Sequence, residues 1–303
     1  MTEAPARPAS SKEFQAPMAS PYPESVLLGL IGAPIAHSAS PAMHEAAAKM
    51  LGLRCFYHLI EVAGADARRL RVMLDGLVAL KFAGVNVTYP YKEAVVPLLD
   101  DLAPSAREVG AVNLIAVRGG RLVGFNTDCS GFASGLKRVV GDIAGHSVAL
   151  IGAGGVGKAI GVALGVAGAS DIRIVDRAPG KAAALAKALA PAGRACDSVA
   201  QALDGADGLV NATTAGMLPN RDSPVPLALL RRDLWVADAV YQPLWTPLLS
   251  AAKEKGATVM TGRELALDQA VDAFEIFTGR SADREVMADA FDRVIERREA
   301  ALT

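Results

Sequence analysis

The stretch ALIGAGGVGKAIGVALGVAGASDIRIVD, residues 149–176, decides the fold of the second half of the chain. An apolar strand pattern leads directly into the glycine-rich turn GAGGVG, a helical pattern follows, and a second strand ends at Asp176. In a dinucleotide-binding βαβ unit the glycines allow close backbone approach, the helix N-terminus faces the pyrophosphate, and the acid binds the adenosine ribose 2'-hydroxyl. We therefore predict a dinucleotide site formed by Gly152, Ala153, Gly154, Gly155, Val156, Gly157 and Asp176.

Two alternatives concern the same stretch. Residues 152–158 also fit GxxxxGK, the beginning of an ATP-binding P-loop, but the next residue is Ala159, which cannot supply the hydroxyl that ligates magnesium. Asp176 favours NAD, because a carboxylate about 4 Å from the 2'-phosphate of NADP is repelled by roughly 4 kcal/mol at an effective dielectric of ~20. Arg177 follows and could pair with that phosphate, so NADP stays open.

Short apolar runs alternate with helical patterns on both sides of this stretch, which predicts two successive α/β modules. The first contains the runs VLLGLIG, CFYHLIEV and FAGVNVTY, and then a hairpin around Arg118-Gly119-Gly120. The last run, residues 82–89, ends at Pro90, so Asn86, Thr88 and Lys92 are predicted to lie at the strand end and in the turn into a helix. Another helix is predicted over residues 129–140.

The predicted organisation is an α/β fold with four parts. They are a disordered tail rich in Ala, Pro and Ser (1–23), an N-terminal, mostly parallel-sheet substrate domain (24–127), a Rossmann-like dinucleotide-binding domain (128–262), and C-terminal helices that return to the first module (263–303).

Composition excludes several partners. The chain has 303 residues, 31 Lys and Arg against 32 Asp and Glu, and no long block of one sign, so nothing indicates nucleic acid or an anionic membrane. No apolar run approaches the ~18 residues of a membrane span. Its three cysteines stand far apart without a CxxC pair, which indicates reduced thiols in a cytoplasmic protein. We expect a small-molecule partner, no metal, and either a monomer or a homodimer.

Polar residues gather where the predicted strands of the first module end. They occur in the segments 37–40 (HSAS), 86–92 (NVTYPYK), 110–113 (GAVN) and 125–128 (FNTD). Ligands of open α/β sheets bind at the carboxyl ends of the strands. These segments therefore predict a substrate site that faces the dinucleotide module.

The whole set of motifs resembles the shikimate dehydrogenase family, including its quinate-oxidising branch, over residues 26–280. The resemblance rests on GAPIAHSASPAMHE, GVNVTYPYKE, GAVNLI, GFNTDCSGF, GAGGVGKA, NATTAGM, DAVYQPLWTPLL and QAVDAFEIFTG, all in the family's order. It implies an oxidoreductase of aromatic amino acid biosynthesis that interconverts shikimate and 3-dehydroshikimate with a nicotinamide cofactor.

The resemblance also implies roles for individual residues. Lys92 and Asp128 would form the catalytic pair. Substrate contacts would come from Ser38, Ser40, Asn86, Thr88, Asn113, Tyr241 and Gln269. Further cofactor contacts would come from Arg177, Asn211, Ala212, Thr213, Met217 and Gly262.

Hydride transfer from a secondary alcohol needs a group that takes the hydroxyl proton and returns it in reverse. A lysine, with an ordinary pKa of about 10.4, would need burial to lower that value, while a nearby carboxylate raises it. The sequence does not decide which member of the pair moves the proton. Each residue taken alone also has a structural interpretation: Lys92 as a solvated first-turn lysine, Ser40 as the cap of a helix beginning at Pro41, and Asn113 or Gln269 as turn and surface residues.

Departures from the family pattern bear on the substrate. Beside the nicotinamide the family has a small or apolar pair followed by methionine, whereas this chain has Arg263, Glu264 and Leu265. This departure changes the expected shape and polarity of the cleft wall. Asp176 points to the NAD-using, quinate-oxidising branch, whereas Ser40 is the shikimate-type residue in place of threonine. We predict shikimate as the main substrate, with quinate as the alternative. A non-catalytic metabolite sensor is a third possibility, disfavoured because it would not need both Lys92 and Asp128.

Overall fold

The computed structural model describes residues 24–302, so the tail predicted over 1–23 lies outside the described residues. The first half contains β1 (Ser25–Gly32), α1 (Ser40–Met50), β2 (Arg54–Glu61), α2 (Ala67–Ala79), β3 (Gly84–Val87), β4 (Asp101–Leu102), α3 (Pro104–Val109), β5 (Leu114–Arg118) and β6 (Arg121–Phe125). They form a six-stranded sheet of order β2-β1-β3-β5-β6-β4. Strands β2, β1 and β3 are parallel, and the predicted hairpin β5–β6 is antiparallel.

The second half forms a separate sheet. Its elements are α4 (Asp128–Val139), β7 (Ser147–Ile151), α5 (Gly155–Val166), β8 (Asp171–Val175), α6 (Pro179–Ala188), β9 (Gly193–Ala195), α7 (Val199–Leu203), β10 (Gly208–Asn211), β11 (Trp235–Asp238), α8 (Pro247–Glu254) and β12 (Thr258–Met260). All pairings are parallel in the order β12-β11-β10-β7-β8-β9, which is the doubly wound order of a Rossmann fold. The order reverses between β7 and β10, and this switch point is where such sheets bind their ligand.

The turn between β7 and α5 requires glycine at two positions, 152 and 157. Gly152 has φ +106°, and a Cβ at Gly157 would lie 2.1 Å from the carbonyl oxygen of Gly152. The loop therefore folds back on itself immediately before α5, whose first N–H groups are free to face an anion.

Two C-terminal helices, α9 (Gly262–Thr278) and α10 (Arg284–Leu302), return to the first sheet as predicted from the sequence. They build one apolar cluster with α1, in which Met43 of α1 contacts the group that includes Phe274 of α9 and Phe291 of α10. Helix α9 also packs along α4. Among the residues described, no helix is long and apolar enough to cross a bilayer.

One predicted element is wrong. Residues 92–95 form turns, followed by a short 3-10 helix (Val96–Leu98), instead of the α-helix expected after Pro90. Pro97 lacks the N–H that would bond to the carbonyl of residue 93, so an α-helix could not continue through it. Lys92 itself lies in the turn after β3, where the sequence predicts it.

Candidate active site

Lys92 and Asp128 form a buried ion pair at the end of β3 and the first residue of α4. The Nζ of Lys92 lies 2.6 Å from Oδ2 of Asp128, and the two side chains are 12% and 7% exposed. The carbonyl of Lys92 accepts the N–H of Val112 at 2.8 Å, which anchors the turn to the chain just before β5. The pair predicted from the sequence is thus in direct contact.

Asn113 holds the carboxylate from its other side. Its Nδ2 donates to Oδ1 of Asp128 at 3.0 Å and to the hydroxyl of Thr127 at 2.9 Å, and its Oδ1 accepts the N–H of Thr127. A second asparagine, Asn126, accepts the N–H of Asp128 at 3.1 Å and donates to the carbonyl of Ala111. Both oxygens of the Asp128 carboxylate are therefore fixed by donors before any substrate arrives.

Asn126 was not predicted from the sequence, although it stands inside the motif GFNTDCSGF. Asparagine just before a helix is a common cap, and its oxygen also accepts the N–H of Cys129. That signal could have identified Asn126 as the residue that sets the beginning of α4.

Ser38 and Ser40 lie together in the loop after β1. The Oγ of Ser38 donates to Oγ of Ser40 at 3.0 Å and accepts the N–H of Ser40 at 3.2 Å. The prediction that Ser40 caps α1 is wrong, since Ser40 is the first helical residue and its side chain caps no N–H there. Neither hydroxyl is therefore used to cap α1.

Two tyrosines lie beside the serines. Burial raises the pKa of the Tyr241 hydroxyl, while its interactions with the Ser38 hydroxyl and with the charge of Arg298 oppose that rise. Tyr57 of β2 was not predicted as a site residue. Its hydroxyl donates to Oδ1 of Asn86 at 2.8 Å, and burial raises its pKa while a hydrogen bond to Ser40 opposes this. Tyr57 thus joins the loop that carries Ser38 and Ser40, called the serine loop below, to Asn86. The Nδ2 of Asn86 donates to the carbonyl of Asn113.

Thr88 and Gln269 complete the predicted substrate set. Thr88 follows β3, and its N–H bonds to the carbonyl of Ile31 in β1 at 2.9 Å. Gln269 of α9 donates to the carbonyl of Ala266 and accepts weakly from the hydroxyl of Thr127 at 3.5 Å. Gln269 is close to α4 because Gly131 has no side chain: a Cβ there would lie 2.6 Å from the Gln269 nitrogen.

On the cofactor side, Asp176 supports the glycine loop. Its Oδ2 accepts the N–H of Ala153 and its Oδ1 accepts the N–H of Ala178, both at 2.8 Å. Arg177 is exposed beside it. The carbonyl of Gly154 accepts the N–H of Lys158 in the first turn of α5.

The loop after β10 faces the glycine loop. Asn211 accepts the N–H and hydroxyl of Thr213, and a Cβ at Gly152 would lie 2.9 Å from the carbonyl group of Ala212. Met217 continues the same loop, which closes with the Met217 N–H on the carbonyl of Thr214.

Gly262 begins α9 in close contact with the loop after β11, since a Cβ there would lie 2.3 Å from the carbonyl oxygen of Val240. Asp238, which the sequence did not single out, joins these loops. Its carboxylate accepts from Asn211, Val240 and Thr246 at 2.8–2.9 Å; burial raises its pKa to about 7 and these hydrogen bonds oppose the rise.

The unusual residues before Gln269 do not leave free charge in the cleft wall. Arg263 pairs with Asp292 of α10 at 2.6 Å, and Glu264 pairs with Arg138 and Arg284 at 2.9 and 2.8 Å. Leu265 is buried in the apolar core of the second sheet. This segment therefore links α4, α9 and α10.

Substrate and cofactor residues meet where the two sheets face each other. A Cβ at Gly155 of the glycine loop would lie 3.2 Å from Cβ of Lys92, and Lys158 pairs with Glu93 at 2.8 Å across the same gap. The predicted catalytic lysine thus lies against the predicted dinucleotide loop. Within the part of the chain that the structure describes, no cluster of side chains has the make-up of a metal site, and His44 is buried among aromatic rings.

The architecture and this site define the class of nicotinamide-dependent dehydrogenases with a separate substrate module. Residues 30–115 match the family described as the shikimate dehydrogenase substrate binding domain, and residues 135–224 match shikimate / quinate 5-dehydrogenase. The chain belongs to the shikimate dehydrogenase family and is an oxidoreductase that acts on a secondary alcohol.

Its relatives include both cofactor types. The chain is 42% identical over 269 residues to a shikimate dehydrogenase (NADP(+)) of Streptomyces avermitilis, covering 86% of this chain and 92% of the relative. It is 40% identical over 278 residues to a quinate/shikimate dehydrogenase (NAD(+)) of Corynebacterium efficiens, covering 88% and 98%.

Solved structures agree in fold. The chain superposes with TM-score 0.82 and 38% identity on a quinate dehydrogenase from Corynebacterium glutamicum in complex with NAD, covering 89% of this chain and 99% of that one. A shikimate 5-dehydrogenase from Thermus thermophilus in complex with NADP(H) and shikimate gives TM-score 0.81 and 37% identity, with coverage of 89% and 99%.

Proposed function

We propose that this protein interconverts shikimate and 3-dehydroshikimate, with NAD as the preferred cofactor. The observation that carries the proposal is the buried pair of Lys92 and Asp128, 2.6 Å apart and packed against Gly155 of the glycine loop. A hydroxyl that reaches this pair lies next to the place where a dinucleotide would bind. That juxtaposition is what hydride transfer from a secondary alcohol requires.

The chain's own residues fit a dinucleotide. A Cβ at Gly157 would collide with the backbone of the loop and a Cβ at Gly152 with the loop after β10, and α5 presents its N-terminus at the switch point of the sheet. Nicotinamide, when bound, supplies the hydride acceptor or donor. The protein supplies the proton path: during oxidation the pair of Lys92 and Asp128 takes the proton of the hydroxyl, and during reduction it returns that proton.

Asp176 and Ser40 support the choice of cofactor and substrate. The Asp176 carboxylate is fixed by two backbone N–H groups at the end of β8, where it would accept from ribose hydroxyls and repel a 2'-phosphate. Ser40, rather than threonine, leaves the serine loop without a methyl group. Quinate is the second candidate, favoured by the NAD-type acid at position 176.

A cytoplasmic enzyme, either monomeric or homodimeric, is part of this proposal. Its support is that Cys55, Cys129 and Cys196 are free thiols in the structure.

The experiment is a steady-state assay of shikimate and quinate, each with NAD and with NADP. We expect shikimate with NAD to give the highest kcat/KM. A higher value for quinate would reverse the substrate assignment, and a higher value with NADP would reverse the cofactor assignment. No reduced cofactor in any of the four combinations would refute the dehydrogenase function and favour a sensor.

A further inference from the structure

An arginine of the last helix contacts the loop that carries Ser38 and Ser40. The family resemblance implies no role for this arginine. Arg298 lies on α10, and its Nη1 donates to the backbone carbonyl of His37, the residue immediately before Ser38. The same carbonyl accepts Nε2 of Gln242 at 2.7 Å. The guanidinium is therefore held at the end of the site where Ser38, Ser40 and Tyr241 converge.

Arg298 differs from the two other partly buried arginines of the C-terminal helices, Arg263 and Arg284. Arg263 pairs with Asp292, and Arg284 pairs with Asp268 and Glu264. Arg298 forms no ion pair within the described residues 24–302, where its contacts are with the His37 carbonyl and with Tyr241. It is half-buried, and burial lowers its pKa from the ordinary arginine value, an effect that its interaction with Tyr241 opposes. Its guanidinium thus has a neutral carbonyl as acceptor and a positive charge that no carboxylate in the described part of the chain balances.

The proposed substrates carry a carboxylate, and the proposed site has neutral donors for it. Moving a carboxylate from water into a partly closed cleft is costly unless the charge is compensated, and hydrogen bonds from a charged donor are about twice as strong as those from a neutral one. Lys92 cannot serve this purpose, since Asp128 already neutralises it. An unbalanced guanidinium next to the two serines has the complementary charge and the planar donor geometry.

We propose that Arg298 is a substrate-binding residue that pairs with the carboxylate of the ring acid, together with Ser38, Ser40 and Tyr241. This inference rests on the proposed function and deepens it. The site selects cyclic polyols that bear a carboxylate over neutral polyols, and helix α10 contributes that selectivity.

A purely structural role would look different. If Arg298 only held the His37 carbonyl and so the serine loop, its loss would weaken every ligand of the loop equally, whether charged or neutral. The test therefore compares shikimate with its neutral methyl ester in wild-type protein and in Arg298→Gln, which keeps an N–H donor and removes the charge.

We expect Arg298→Gln to raise KM for shikimate by about ten- to hundredfold, the effect of losing a hydrogen bond to a charged group, with little change in kcat. KM for the methyl ester should change by less than about threefold, and Arg298→Lys should restore most of the preference for the acid. The matched control is Arg297→Gln, the exposed neighbour on α10, which should leave both KM values unchanged. An equal rise for acid and ester in Arg298→Gln would overturn the proposal, and so would no rise at all.

Calorimetric binding of the acid and the ester separates this inference from the proposed function, because it needs no turnover. Binding of shikimate that weakens selectively in Arg298→Gln supports the arginine even if no cofactor is reduced, in which case only the proposed function fails. Turnover of shikimate with unchanged acid preference in the variant refutes only the role of Arg298. Wild-type protein that binds neither compound refutes both.

Discussion

Gly131→Ala tests whether the close approach of α4 and α9 sets the geometry of the active site. Gly131 lies one turn after Asp128 on α4, and the added methyl group would meet Gln269 of α9 at 2.6 Å from its nitrogen and 3.0 Å from its Cα and Cβ. All three atoms lie on or next to the α9 backbone, so no side-chain rotation relieves the contact. The helices must separate.

The size of the effect follows from these distances. Restoring an ordinary contact of about 3.5 Å requires α9 to move by about 1 Å relative to α4. Overpacking of this kind costs roughly 1–3 kcal/mol, from which the ~0.5–1 kcal/mol that alanine gains over glycine within a helix is subtracted. Misplacement of reacting groups by about 1 Å can cost about a hundredfold in rate. We therefore expect a modest loss of stability and a large loss of kcat/KM.

Thermal unfolding and steady-state kinetics measure the two effects. The matched control is Gly76→Ala, another helical glycine, whose Cβ would meet open space within α2. That control should unfold slightly above the wild type with unchanged kcat/KM. If Gly131→Ala retains wild-type kcat/KM and melting temperature, the spacing of α4 and α9 does not determine the position of Asp128 and Gln269.

Three further substitutions address single groups. Lys92→Ala should lower kcat by about 10²- to 10⁴-fold while calorimetry still detects substrate binding, and unaltered turnover would remove Lys92 from the mechanism. Asp176→Asn keeps an oxygen for a backbone N–H but removes the charge, so the NAD to NADP ratio of kcat/KM should fall at least about tenfold; an unchanged ratio means that another residue sets it. His44 is fully buried with both ring nitrogens lacking a partner in the described residues, and burial lowers its pKa to about 3. In the unfolded state the imidazole binds a proton near pH 6.5, whereas in the folded state it stays neutral until about pH 3. The free energy of unfolding should therefore fall as pH falls below 6.5, by about 2 kcal/mol at pH 5. Denaturant titrations of His44→Leu should lack that part of the slope, and a slope equal to that of the wild type would contradict the burial argument.

The glycine loop was predicted from the sequence because its residues follow one another within one short segment. Gly152 is required by its φ of +106° and Gly157 by its contact with the Gly152 carbonyl, so the glycine pattern alone indicates the loop. Lys92 and Asp128 were predicted from separate motifs, and the sheet brings them together because β3 and the end of the β5–β6 hairpin reach the same edge.

The residues that sequence missed act through partners distant in the chain. Tyr57 is an inward-facing residue of an edge strand, and only its hydrogen bond to Asn86, 29 positions away, gives it a place in the site. Asp238 is likewise defined by its bond to Asn211, 27 positions earlier. The periodicity of the sequence assigns such residues to the core. No neighbouring residue in the sequence indicates that their polar groups hydrogen-bond to loops of the site.

The charged residues before Gln269 depart from the family pattern. They change the contacts between the helices around the site and not the residues that line it. Arg138 on α4 contacts Glu264 and Asp268 on α9, and Arg284 on α10 contacts the same two carboxylates. The Glu264 and Asp268 side chains are only 15% and 8% exposed, so these pairs are screened less by salt than surface pairs are.

Helices α4, α9 and α10 are joined by this network of ion pairs, and each of them carries one residue assigned to the candidate site. Asp128 begins α4, Gln269 lies one residue beyond Asp268 on α9, and Arg298 lies on α10. A shift of any one helix would change the distance between the proposed catalytic carboxylate and the groups proposed to hold the substrate ring and its carboxylate. If Lys92, Asp128 and Arg298 act as proposed, these ion pairs couple the proton-transfer end of the cleft to its anion-binding end, and the C-terminal helices form part of the active site together with the two sheets.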